Sequence, residues 1–119
     1  MRKILVVEDE DLLRESYLTI LSTEPYDVEV AKNGQEALEK CKKKVFDLIL
    51  LDLMMPVLSG VSFLERFENT GATKIIILSN LSSGEDLEKA LQLGAQENIV
   101  KASLSPRELL SKVRYEIMQ

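Results

Sequence analysis

A small set of side chains stands where apolar runs stop, and all are types that handle metal, oxygen and phosphorus. Glu8, Asp9 and Glu10 follow Ile4-Leu5-Val6-Val7, Asp52 follows Leu48-Ile49-Leu50-Leu51, Ser79 follows Ile75-Ile76-Ile77-Leu78, and Lys101 follows Ile99-Val100. Carboxylates brought close together raise one another's pKa, and a hard divalent cation relieves that repulsion. Mg²⁺ takes one or two carboxylates, a carbonyl and several waters, with a phosphate oxygen completing its octahedron. A lysine ammonium would then meet one phosphoryl oxygen and a serine hydroxyl another. This is a set suited to phosphoryl transfer, where catalysis is mostly positioning and charge neutralisation.

Each of these residues has a plainer reading when taken alone. Glu8-Asp9-Glu10 is then an acidic patch favoured by a helix N-terminus, Ser79 a turn residue at a strand end and Lys101 a solvated lysine. Asp52 resists such a reading. It interrupts the apolar stretch Leu48 to Met55, where an unpaired charge would cost several kcal/mol unless it sat at an open strand end with partners.

The elements that must position these residues alternate along the chain. Strands are expected over Lys3 to Glu8, Asp27 to Ala31, Phe46 to Asp52, Lys74 to Ser79 and Asn98 to Lys101, with five amphipathic helices between and after them. Leu13, Tyr17, Ile20 and Leu21 give the first helix its apolar stripe; Leu109 or Leu110, Val113 and Ile117 give the last. Asn33, Ser83 and Ser105 each precede an acid or amide by three residues, the pattern of a helix start, and Pro106 adds a first-turn proline. Gly94 is placed to end the fourth helix in a left-handed conformation. Strict β/α alternation implies an α/β fold with a parallel sheet covered on both faces, and the three continuous apolar runs mark its central strands. Ligands of such sheets bind beyond the carboxyl ends of the strands, which is where the acids, Ser79 and Lys101 fall.

Composition narrows the alternatives. At 119 residues the chain fits one domain, residues 1–119, and its 45% hydrophobic and 29% charged content is that of a globular protein. The apolar stretches are too short to span a bilayer, and Met1-Arg2-Lys3 with four apolar residues is no signal peptide, so a cytoplasmic location is expected. With no histidine and the single Cys41, cysteine/histidine zinc sites, internal disulfides and histidine-based catalysis are excluded, and any metal must be held by oxygen. A net charge of −5 argues against a nucleic-acid-binding surface, and Lys42-Lys43-Lys44 reads as a solvated helix terminus. Read as complete, the chain ends with its last helix and carries no output domain.

With these residues in place, the chain resembles the receiver domain of bacterial two-component response regulators over nearly its whole length. The resemblance rests on Ile4-Leu5-Val6-Val7-Glu8-Asp9-Glu10, on Asp47-Leu48-Ile49-Leu50-Leu51-Asp52-Leu53-Met54-Met55-Pro56 with Gly60, on Ile76-Ile77-Leu78-Ser79, and on Gly94-Ala95 followed by Lys101. It implies a flavodoxin-like (CheY-like), doubly wound five-stranded sheet of order 2-1-3-4-5. It implies that Asp52 becomes an acyl phosphate, and that Mg²⁺ is held by Asp9, Asp52, the Met54 carbonyl and Glu8 acting through water. Lys101 would bind the phosphoryl group, Ser79 would report it, and Pro56 and Gly60 would shape the loop beside the site. The implied partners are a sensor histidine kinase or histidine phosphotransfer protein and a downstream protein reached by the fourth helix, fifth strand and fifth helix. A phosphorylation-dependent homodimer is a further arrangement; neither nucleic acid nor membrane is a partner of this domain. The only catalysis implied is of its own phosphorylation and dephosphorylation.

Two positions depart from that pattern. Asn98 stands where the family usually has an aromatic switch residue, which leaves signalling to the Ser79 to Gly84 loop. Ala102 stands where a proline commonly follows the lysine, so a trans Lys101-Ala102 bond is expected, since a cis bond before alanine costs roughly 2.5 to 4 kcal/mol. The competing readings are three. A haloacid-dehalogenase-type phosphatase wants an aspartate where Met54 stands, and a nucleotide or flavin domain wants a glycine- or hydroxyl-rich loop where Glu8-Asp9-Glu10 stands. The third is a degenerate receiver that binds a partner without phosphorylation.

Overall fold

In the computed structural model, which describes residues 1–79, 84–101 and 104–118, the apolar runs form a five-stranded parallel sheet. The order of elements is β1 (Arg2–Val7), α1 (Asp11–Leu21), β2 (Tyr26–Ala31), α2 (Gly34–Lys43), β3 (Leu48–Asp52), α3 (Gly60–Arg66), β4 (Lys74–Ser79), α4 (Gly84–Gln92), β5 (Glu97–Val100) and α5 (Pro106–Met118). Strand order is β2-β1-β3-β4-β5, so β1, β3 and β4 occupy the centre as their uninterrupted hydrophobicity requires.

Because side chains alternate across a strand, each apolar run feeds two cores. Leu5, Val7, Ile49, Leu51, Ile75 and Ile77 pack with Ala37, Phe63 and Ala90 beneath α2, α3 and α4. Ile4, Val6, Leu48, Leu50, Ile76 and Leu78 pack with Tyr17, Leu21, Leu109 and Val113 beneath α1 and α5. All twelve of these strand side chains are buried, which leaves the carboxyl edge as the place where polar residues can emerge.

Element ends differ slightly from the periodicity. Glu8 lies one residue beyond β1, although its N–H still donates to Ala31 O at 3.0 Å. The third strand begins at Leu48 and not at Phe46, and β5 runs from Glu97 to Val100, so Lys101 follows the strand instead of closing it. Lys42 and Lys43 are solvent-exposed as expected, but Lys44 is half-buried and ion-paired with Glu29 and, at 3.4 Å, with Asp27 of β2. Beside it Lys40 Nζ donates to Val30 O at 2.6 Å, covering that edge of the sheet.

The helix ends carry the expected signals. Asn33 Oδ1 accepts from Glu36 N at 2.8 Å. Ser105 and Glu108 form a reciprocal capping box, Glu108 N donating to Ser105 Oγ at 3.1 Å and Ser105 N to Glu108 Oε1 at 3.3 Å. Gly94 adopts φ +110° after α4, with Ala95 N donating to Ala90 O and Gly94 N to Leu91 O, the paired bonds of a Schellman end. The expected cap Ser83 and the Lys101-Ala102 peptide bond lie outside the described residues.

One loop residue is strained. Leu58 N donates to Pro56 O at 2.7 Å across Val57, whose φ is +68°, a tight turn that a β-branched residue adopts at a cost of order 1–3 kcal/mol. Val57 is largely exposed, so no packing is lost on truncating it. Val57→Gly should raise the urea midpoint and stabilise the domain by about 1 kcal/mol, relief of strain outweighing the greater unfolded-state entropy of glycine.

Candidate functional site: an acidic cluster closed by a buried lysine

The β1–α1 and β3–α3 loops bring three carboxylates to one spot on the carboxyl edge. Ligand atoms of Glu8, Asp9 and Asp52 lie within 4.8 Å of one another, the group of metal-competent side chains found among the described residues. Glu8 and Asp52 are buried and Asp9 is half-buried, whereas Glu10 is exposed at the N-cap of α1 and stands apart from the cluster.

Lys101 reaches in from the end of β5. Its Nζ donates to Glu8 Oε1 at 2.9 Å and Oε2 at 3.0 Å and lies 3.4 Å from Asp52 Oδ2, with only 10% of the side chain exposed. A buried ion pair is held only where each charge has partners, and this ammonium serves two carboxylates at once. On the other side, Met54 N donates to Asp52 Oδ1 at 3.3 Å.

The loops are held by contacts of their own. Gly60 N donates to Leu53 O at 3.0 Å, and a Cβ at Gly60 would stand 2.5 Å from Asp52 O, so only glycine lets α3 start this close to the site. Arg14, on the first turns of α1, donates from Nη1 to Glu8 O at 3.0 Å and Asp9 O at 3.4 Å while pairing with Asp11. Its sequence signal was slight: a cation three residues after Asp11 resembles any surface helix pair.

Ser79, buried at the end of β4, donates its hydroxyl to Asn98 Oδ1 on β5. The structure therefore gathers Glu8, Asp9, Asp52 and Lys101 directly and sets Ser79 beside them on Asn98.

Electrostatics follow from this crowding. Burial, and then the charge of Glu8, push the Asp52 carboxyl up to about 7 despite the nearby Lys101. Burial also raises Glu8, with Lys101 opposing it. Burial alone would lower Lys101, but its hydrogen bond to Glu8 and the two carboxylate charges hold it above the ordinary lysine value. When all three carboxylates are ionised, the one ammonium leaves two negative charges uncompensated, in an all-oxygen donor set. That chemistry fits a hard divalent cation.

The parallel sheet of order 2-1-3-4-5 and the acidic rim closed by lysine define a doubly wound, CheY-like α/β domain. The chain belongs to the response regulator receiver domain family, which it matches over residues 4–114. It is 39% identical over 114 residues to the response regulator ArlR of Staphylococcus saprophyticus, covering 96% of this chain and 51% of that protein. It is 36% identical over 116 residues to a homologue of the transcriptional regulatory protein CpxR from Haemophilus influenzae, covering 96% of this chain and 49% of the other. The chain thus spans about half the length of these curated relatives. Among solved structures it is similar to a CheY-like receiver domain protein from Methanospirillum hungatei, with TM-score 0.91, 31% identity, and coverage of 99% of this chain and 94% of that one. Chemotaxis protein CheY4 of Vibrio cholerae matches with TM-score 0.86 and 32% identity over 97% of this chain and 98% of that one. Members of this family are phosphorylation-dependent signalling proteins of two-component systems and not classical enzymes, and Mg²⁺ binding is general among them. No described helix is long and apolar enough to cross a membrane.

The raised carboxyl gives a pH signature in the absence of divalent cations. Between about pH 4 and 7 the folded protein keeps a proton on Asp52 that the unfolded chain has released, so stability falls as pH rises through this window. Asp52→Asn removes the penalty. It should stabilise the domain by roughly 2–4 kcal/mol at pH 8 and by little at pH 4, read as urea midpoints at the two pH values. A stability gain equal at both would contradict the burial of an ionised Asp52.

Proposed function

We propose that residues 1–119 constitute one receiver domain acting as a phosphoaspartate switch, charged on Asp52 by a sensor histidine kinase or histidine phosphotransfer protein. The observation that carries this reading is Lys101, buried between Glu8 and Asp52 with an ammonium ready to serve an incoming anion.

Mg²⁺, when bound, supplies the positive charge that lets a carboxylate and a phosphoryl anion approach; Asp9, Asp52, the Met54 carbonyl and, through water, Glu8 would hold it. Each other part falls to a named side chain. An Asp52 carboxylate oxygen attacks phosphorus in line, the P–N bond of the donor phosphohistidine breaks, and the imidazole nitrogen leaves with the bonding pair. Lys101 exchanges its hold on Asp52 for a phosphoryl oxygen, a move of a mobile ammonium that needs no backbone change. Ser79 donates its hydroxyl to another phosphoryl oxygen. Hydrolysis of the acyl phosphate by in-line water restores Asp52, so the domain catalyses only its own phosphorylation and dephosphorylation.

Output follows if the phosphorylated rim favours one of two conformations, since phosphorylation shifts an equilibrium only by its differential interaction with the two states. The surface formed by α4, β5 and α5 is the face through which a downstream protein, or a second copy, would read that state. The proposed setting is cytoplasmic.

Beryllium trifluoride, a phosphoryl mimic, tests the assignment. Wild type should bind it in a Mg²⁺-dependent manner measurable by calorimetry, Asp52→Ala should show no binding, and Lys101→Ala should bind at least tenfold more weakly. Binding that persists in Asp52→Ala, or none in wild type, would favour a domain that meets its partner without phosphorylation.

A further inference from the structure

We infer that Asn98 is a positioning residue that holds the Ser79 hydroxyl away from the phosphoryl site and releases it on phosphorylation. The inference rests on the functional reading above and adds to it the group with which the phosphoryl oxygen must compete.

The placement is set by strand register. Ser79 lies opposite Val100, and Ile77 opposite Asn98, so Ser79 and Asn98 are diagonal neighbours on one face of the sheet. That face is the one carrying Ile77, covered by α4 through Ala90 and Leu87. Ser79 is 2% exposed and Asn98 is half-buried, so water competes poorly for the bond between them.

A serine hydroxyl has one proton to donate. In the structure it goes to Asn98 Oδ1. A phosphoryl oxygen on Asp52 can receive it only if Asn98 gives it up, so the two hydrogen bonds are mutually exclusive. The charged acceptor is the stronger of the two, and the exchange runs toward the phosphoryl group once that group is present. It leaves the Asn98 amide without its donor on the sheet face beneath α4. Two discrete arrangements of one proton thus link the acyl phosphate to that face, through polar side chains and with no aromatic ring.

If Asn98 competes for the proton, removing its acceptor should help the mimic bind, and only when Ser79 is present. The experiment is a double-mutant cycle: affinity for beryllium trifluoride with Mg²⁺ in wild type, Asn98→Ala, Ser79→Ala and the double variant. Asn98→Ala should bind roughly three- to tenfold more tightly than wild type, the worth of one net hydrogen bond. In the Ser79→Ala background the same substitution should change affinity less than twofold. Asn98→Leu, close in size and lacking an acceptor, replaces alanine if that variant unfolds. In the free protein the Asn98 side-chain amide resonances should shift on Ser79→Ala, a readout independent of any ligand. An equal effect of Asn98→Ala in both backgrounds, or no effect in wild type, overturns the inference alone. Absence of Asp52-dependent binding in wild type overturns the functional reading and the inference with it.

Discussion

The structure turns on one electrostatic constraint: carboxylates have to meet at the edge of a hydrophobic sheet, where their repulsion is poorly screened. Glu8 has no exposed surface and Asp52 almost none. Without a counter-charge neither could stay ionised there. Lys101 supplies one positive charge, donating to both oxygens of Glu8 and lying against Asp52, and it is still outnumbered. The remaining imbalance suits the rim to a small hard cation, and the proposed function adds an anion met by Lys101. A site with its charges already matched would have no such appetite for ligands.

Everything beneath the rim exists to hold that imbalance in place. The two-sided sheet buries every apolar side chain of its central strands, so the backbone there is rigid and the loops at the carboxyl edge start from fixed points. Gly60 then brings α3 up against the Asp52 carbonyl, and Arg14 ties down the carbonyls of Glu8 and Asp9. These contacts fall on backbone atoms, so they shape the loops without taking up the carboxylate oxygens of Glu8, Asp9 and Asp52.

Much of this was legible in the residues. Continuous apolar runs identified the central strands, and the side chains directly after them identified the rim, because a polar group tolerated beside such a run must sit where the strand opens to solvent. What sequence could not supply was anything depending on the path of a loop or on exact register. Glu10 sits next to Asp9 in the chain but turns outward at the head of α1. Arg14 looks like a partner for Asp11 until the loop folds back and presents two carbonyls to it. Asn98 reads as the loss of an aromatic ring; only the pairing of β4 with β5 shows it accepting from Ser79. Lys44 reads as one of three solvated lysines, and the proximity of β2 gives it Glu29 and Asp27.

That last arrangement bears on the behaviour of the domain in crowded solution. An outer strand offers unpaired backbone groups that can recruit a strand from another molecule, the first step toward aggregation, and inward-leaning lysines are a recognised defence. Here Lys40 occupies the Val30 carbonyl, and Lys44 lies across the Asp27 and Glu29 side chains of the same strand. Strand addition at β2 would have to displace the Lys40 ammonium from the Val30 carbonyl and bring a new chain up beside the charged Lys44, Asp27 and Glu29 cluster, which works against edge-to-edge association along this border of the sheet.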